Sequence, residues 1–215
     1  MRLKNIELKI KRLYSLKNQK GFKNLLKIII NHIFDQFIAI GYIYKGHLSD
    51  IKYVPENKDF EFRIMNKLDL EIMKTNYQNE FNEKNYYDEL SKFNTRKVDC
   101  FIVKKDENIC GYFSLAYGIS ESELEKKYLN VEKNGYIFGD YVFEKYRGKK
   151  IQQFSAYQRF CLLKEKKYET VTCIIKRNNI PSIKSYEKFG FQKYLIKYHF
   201  RFGILMRSKD HYKII

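Results

Sequence analysis

The sequence predicts an α/β fold: a mixed sheet of about six or seven strands flanked by helices, preceded by a basic amphipathic helical extension. Three observations carry this reading. From Asp59 onward, short apolar runs of strand length alternate with charged stretches of helix length. An apolar run ending at Phe143 leads into the basic turn Tyr146-Arg147-Gly148-Lys149-Lys150, and a helical pattern opens at Ile151. Residues 1–27 carry Arg2, Lys4, Lys9, Lys11, Arg12, Lys17, Lys20, Lys23 and Lys27 against Glu7 alone.

The chain has 215 residues, 44% of them apolar and only two proline. That is enough for one core of roughly 150 to 180 residues plus an appendage, and a second full domain is not expected. A net charge of +17 favours anionic partners without choosing among phosphorylated cofactors, nucleic acid and acidic lipid. The division expected is an extension over 1–50 and a catalytic-size domain over 51–215, with the polar break Leu48 to Lys58 between them. No secretion signal is evident, which points to the cytoplasm. Cys100, Cys110, Cys161 and Cys173 are far apart and the histidines are not at metal-ligand spacing from them, so reduced thiols and no metal are expected.

Taken in order, the elements begin with the extension. Leu25, Ile29, Ile33 and Phe37 recur at helical spacing, with Leu26, Ile30 and Phe34 widening the stripe. Burying Lys27 and Asp35 at a bilayer centre would cost roughly 2.5 to 3.5 kcal/mol each, which excludes a membrane span over Leu25–Tyr44. The stripe suits an anionic membrane surface, its own domain, or a second subunit in a homodimer. With only Tyr14 and Phe22 as aromatics among residues 1–27, stacking on single-stranded nucleic acid has little support.

Phe60, Phe62 and Ile64 alternate as a strand, and Asp69 to Phe93 reads as one or two helices. Asp99–Lys104 and Asn108–Leu115 form a hairpin around Lys105-Asp106-Glu107. Ser120 to Asn134 is polar and reads as a loop with a helical turn. Gly135–Phe143 is a strand. Ile151 to about Glu165 is a helix whose buried face is expected to carry Ile151, Phe154, Tyr157 and Cys161, broadened by Phe160 and Leu163. Val171–Ile175 is a strand, Ser182–Phe189 a short helix, and Phe191–Phe202 one or two closing strands.

Two motifs carry chemistry. Free amides at a helix start, a positive dipole end and cationic side chains converge at Arg147–Ile151, where a pyrophosphate could sit. Asn179-Ile180-Pro181-Ser182 leads through Tyr186-Glu187-Lys188-Phe189 to Gly190-Phe191. In this order the two motifs resemble the GNAT superfamily of acyl-CoA-dependent N-acyltransferases, over about residues 59–202. The family's habit in the first motif is Arg or Gln, two variable residues, Gly, one variable residue, then Gly or Ala. Lys150 and Gln152 occupy the two small-residue positions here. Amides of Lys149, Lys150 and Ile151 can still face phosphate if the backbone there is right-handed.

The resemblance implies acetyl-CoA as acyl donor and direct transfer to a primary amine. It places the pantetheine arm between the strands Gly135–Phe143 and Val171–Ile175. Backbone groups of Tyr141, Val142 and Phe143 would hold the arm, with Arg147, Gly148, Lys149, Lys150 and Ile151 at the phosphates and Asn179 and Ser182 beside the pantetheine. Asn179 equally suits a helix cap with Pro181 in the first turn. Tyr186 matches the position that protonates the leaving sulfur, or else is a core tyrosine. Asp140, an acid in the apolar strand Tyr136 to Phe143, needs a partner or a task. It could take the amine proton through water, bind the cationic substrate, or bond to a neighbouring element; Glu144 is a weaker base. A small amine is expected as acceptor, with an amino sugar of a surface-polysaccharide pathway first. The alternatives are a protein or peptide N-acetyltransferase, and an inactive module binding anionic lipid or nucleic acid.

Overall fold

The computed structural model describes residues 38–56, 59–118, 131–200 and 209–214. The elements in chain order are β1 (Ile38–His47), β2 (Glu61–Ile64), α1 (Lys67–Asn76), α2 (Glu83–Lys92), β3 (Val98–Lys105), β4 (Asn108–Tyr117), β5 (Asn134–Val142), α3 (Ile151–Glu165), β6 (Thr170–Lys176), α4 (Ile180–Glu187), β7 (Gln192–Phe200) and β8 (Lys209–Ile214). The larger compact unit holds Tyr42–Ile196. Its strands pair in the order β2-β3-β4-β5-β6-β1-β7. In the second unit, the end of β7 has β8 as its neighbour. The helical stripe expected over residues 25–37 and most of the loop expected over 120–134 lie outside the described residues. Among the described residues, no helix is long and apolar enough to cross a membrane.

Local chemistry explains the helices. α1 and α2 each open on a reciprocal capping box, Asn66 with Asp69 and Asn82 with Asn85, which satisfies two orphan amides apiece. α3 runs Ile151–Glu165 as the periodicity expects, but its buried face carries Ile151, Phe154, Ala156, Arg159, Phe160 and Leu163. Tyr157 and Cys161 are only half-buried. The face is turned toward Arg159, which pairs with Asp140 of β5.

The larger correction concerns the boundary at residue 50. Tyr42–His47 form part of a strand inside the sheet, between β6 and β7, with Ile43 and Tyr44 buried. Gly46 sits against Phe191, whose ring would stand 2.6 Å from any Cβ placed there. Leu48 continues the connection by donating its amide to the Glu169 carbonyl, 2.9 Å away. Residues 38–50, expected at the end of a helical extension, are thus a strand and a short turn, and residues 1–37 lie outside the described residues.

Two irregularities in the sheet create the site. β2, β3, β4 and β5 are antiparallel neighbours, while β5 and β6 are parallel. The β5–β6 register runs only from Asn134 opposite Thr170 to Ile137 opposite Cys173. Beyond it β5 continues to Val142 and β6 to Lys176 without pairing to each other among the described residues, so the two strands part. On its other side, β5 pairs Tyr141 with Tyr112 and Phe138 with Ser114, leaving two β5 residues opposite one on β4. That bulge holds Gly139 at φ +65°, a left-handed conformation that costs glycine little.

Candidate active site

A cleft of about 700 Å³ opens where β5 leaves β6. It is lined by Asp140, Tyr141 and Val142 from β5, by Arg147, Gly148, Lys150 and Ile151 from the basic turn, and by Asn179 and Ser182 at the start of α4. Nine of the residues expected at a site thus share one wall-to-wall space. Phe143, Lys149 and Tyr186 are not among its lining residues, and Tyr186 is buried behind the Asp140 side chain to which it bonds. The Phe143 ring is fully buried and stacks on Tyr77 at 3.7 Å, and its amide donates to the Cys110 carbonyl, so it anchors the strand end instead. Lys149 lies over the Tyr146 ring at 5.3 Å.

The floor of the turn is a helix N-terminus. α3 has no side-chain cap, so the amides of its first turn have no partner within the helix and the positive end of its dipole faces the cleft. The backbone that presents it is not right-handed: Gly148 has φ +78° and Lys150 φ +59°. A left-handed lysine costs on the order of 1 kcal/mol, strain of a kind that persists where the surrounding structure holds it. Lys150→Gly is accordingly expected to raise the ligand-free unfolding free energy by about 1 kcal/mol, read from a denaturant midpoint shift at constant m.

Gln152, at the second position where glycine or alanine was the family habit, donates to the Ser182 hydroxyl at 3.1 Å and ties the start of α3 to the start of α4. Asn179 caps α4 by accepting from the Ser182 amide, with Pro181 in the first turn, and it lines the cleft as well. Arg147 turns along the outer edge. Its Nε donates to the Val142 carbonyl and its Nη2 to the Tyr141 hydroxyl, while Glu80 stands 3.7 Å from Nη2. Glu80, from the loop between α1 and α2, also accepts from the Tyr141 hydroxyl and the Glu144 amide, both at 2.9 Å.

At the inner end, Arg159 of α3 is fully buried and pairs with Asp140 through two bonds of 2.8 and 2.9 Å. A further bond runs from Arg159 to the Ser114 carbonyl. Tyr186 of α4 donates its hydroxyl to Asp140 Oδ2 at 3.1 Å. Burial pushes the Tyr186 phenol well above its ordinary value, and the Asp140 carboxylate adds to the rise. The phenol therefore keeps its proton at neutral pH. Sequence reading singled out Asp140 and Tyr186 but missed Arg159, whose only signal was a cation on the apolar face of a helix.

A sequence model of the Acetyltransferase (GNAT) family matches residues 69–191. No curated protein is similar enough in sequence to be matched. Solved structures give the fold. A functionally unknown conserved protein from Staphylococcus epidermidis is 14% identical with a TM-score of 0.53, over 91% of this chain and 77% of its own. A Drosophila protein is 14% identical with a TM-score of 0.52 over 83% of this chain, which spans 56% of its length. A putative acetyltransferase from the GNAT family of Novosphingobium aromaticivorans is 12% identical with a TM-score of 0.51, over 75% of this chain and 62% of its own.

Proposed function

The chain belongs to the Acetyltransferase (GNAT) family, whose matching segment contains every residue lining the cleft, and from that premise we propose that it is an acetyl-CoA-dependent N-acetyltransferase acting on a primary amine. The observation that carries this is the parting of β5 and β6 beside an uncapped, cation-flanked helix N-terminus. A long, thin substrate with a pyrophosphate at one end fits such a slot. Amides at the start of α3, with Arg147 and Lys150, receive its phosphates. The edge of β5 from Asp140 to Val142 receives its amide-bearing arm, and a donor on that edge polarises the thioester carbonyl.

Tyr186 serves as the proton donor to the departing sulfur, with its hydroxyl held by Asp140. Both Asp140 oxygens are already engaged by Arg159, so Asp140 positions the Tyr186 hydroxyl and the amine proton goes to another base. The acceptor is a small amine, with amino sugars first in the panel. That preference rests on the basic N-terminal segment, which lies outside the described residues.

Acetyl-CoA at about 100 times its dissociation constant should add roughly 2.7 kcal/mol of stability, seen as a rise in Tm. Absence of any shift with acetyl-CoA and with CoA at millimolar concentration would overturn the acyl-donor reading. Free-thiol release against a panel of amines, hexosamines included, then tests turnover. Replacing Arg147 and Lys150 together should weaken acetyl-CoA binding and flatten its salt dependence, because two cations leave the phosphate end. Unchanged affinity across a salt titration would make the turn ordinary surface.

A further inference from the structure

The bulge in β5 is filled by a cation from another layer. Gly139 has no side chain, and a Cβ built on it would stand 2.7 Å from Lys92 Nζ, so the ammonium of the last residue of α2 takes that place. Three partners hold it there. They are Glu89 Oε1 at 2.6 Å, the Ser114 hydroxyl at 3.0 Å and the face of the Phe138 ring, 5.1 Å to its centre. Ser114 and Phe138 are the paired residues of β4 and β5 that border the bulge.

A second cation grips the same place. Arg159 of α3 donates to the Ser114 carbonyl, lies over the ring of Phe113, which is the β4 residue opposite the bulge, and pairs with Asp140. Ser114 thus has one cation on its hydroxyl and another on its carbonyl. Gly139 and Asp140, consecutive on β5, each meet one of the two.

Stability does not account for the Lys92–Glu89 pair. The two side chains are 16% and 7% exposed, and Glu89 Oε2 is buried without a hydrogen-bond partner. Apolar side chains of similar volume are often at least as stable as such a pair. What an ammonium offers beyond a methyl group is direction. Its bonds tie Nζ to both borders of the bulge, and so fix where β5 leaves the regular ladder.

We propose that Lys92 is a positioning residue for the transfer reaction: its ammonium, in the side-chain gap of Gly139, sets the β5 bulge and with it the edge from Asp140 to Val142 that receives the acyl donor. The assignment rests on the acetyltransfer reading above. Lys92 does not line the cleft and acts through Gly139 and Ser114. Asp140, the next residue on β5, holds the Tyr186 hydroxyl, while Tyr141 and Val142 form the wall beyond it. A displacement of that edge by about 1 Å is enough to slow such a reaction roughly 10²-fold, because carbonyl, donor and proton source must meet within hydrogen-bond reach.

The test uses the full chain, acetyl-CoA and the best amine of the panel, with the single-turnover rate as readout, so that chemistry is seen apart from binding and release. Lys92→Met keeps an apolar stem and removes the ammonium. It should lower that rate about 10- to 100-fold and leave acetyl-CoA affinity unchanged, since the basic turn and the start of α3 are untouched. Lys92→Met combined with Glu89→Leu removes both charges, so Tm should return toward the wild type while the rate stays low. A rate that recovers together with Tm, or a wild-type rate in Lys92→Met, overturns the assignment and spares the acetyltransfer reading. If the Lys92 variants do not fold, Ser114→Ala decides, because it removes one anchor of the ammonium and keeps the carbonyl that Arg159 uses. A lowered rate there supports the positioning role, and a wild-type rate overturns it. Wild-type protein that binds acetyl-CoA yet releases no thiol with any amine overturns the acetyltransfer reading and this assignment with it.

Discussion

Tyr186→Phe is expected to lower turnover about 10²- to 10⁴-fold while acetyl-CoA affinity stays within error of the wild type. The ring packs 5.2 Å from Phe191 and would keep that contact. Only the hydroxyl is lost, and with it a buried bond to the Asp140 carboxylate, for about 1 to 3 kcal/mol of stability. Paired measurements of kcat with the best amine and of Tm separate the outcomes. A stability loss with retained kcat would reduce the hydroxyl to a partner of the ion pair and leave water to protonate the sulfur.

Arg159→Met should be the most destabilising single change in the site, by about 3 to 5 kcal/mol, because it strands a nearly buried carboxylate and the Ser114 carbonyl without their donor. Removing the charge on both sides, in Arg159→Met with Asp140→Leu, should recover most of that loss, since apolar replacement of a buried pair is often neutral. Turnover should not recover with it, as the Tyr186 hydroxyl then has no carboxylate to hold it. Urea midpoints at constant m give the first quantity and thiol release the second. A double variant as active as the wild type would show that the pair serves the fold alone.

Much of the fold was legible because it is written locally. The hairpin β3–β4, the strand β5, helix α3 and the Asn-Pro-Ser start of α4 are each fixed by a period, a turn or a cap within a few residues. The cleft lining followed from the same signals, since a basic turn between a strand and a helix can point in few directions. β1 was not legible. Ile38-Ala-Ile-Gly-Tyr-Ile-Tyr is a short continuous apolar run, which periodicity cannot distinguish from the end of the helical stripe before it.

Lys150 was misjudged for a related reason: sequence shows that a lysine is present but not that the turn forces it to positive φ. Arg159 was hidden differently. A lone charge on a helix reads as solvated face, and what draws it inward, Asp140, lies on another strand. Asp140, an acid in an apolar strand, announced that need without naming its partner.

The place of β1 has a consequence for how the chain is made. Its neighbours β6 and β7 are synthesised long after it, so the first strand of the larger unit to leave the ribosome waits with both edges unpaired until nearly the whole domain has followed. Pairing across that sequence distance also carries a large loop-closure cost, which slows folding more than it weakens the finished sheet. An exposed Ile-Tyr-rich segment that must be kept from pairing elsewhere makes nascent chains of this protein candidates for chaperone binding. Yield of soluble protein would then depend on translation speed through the last third of the message.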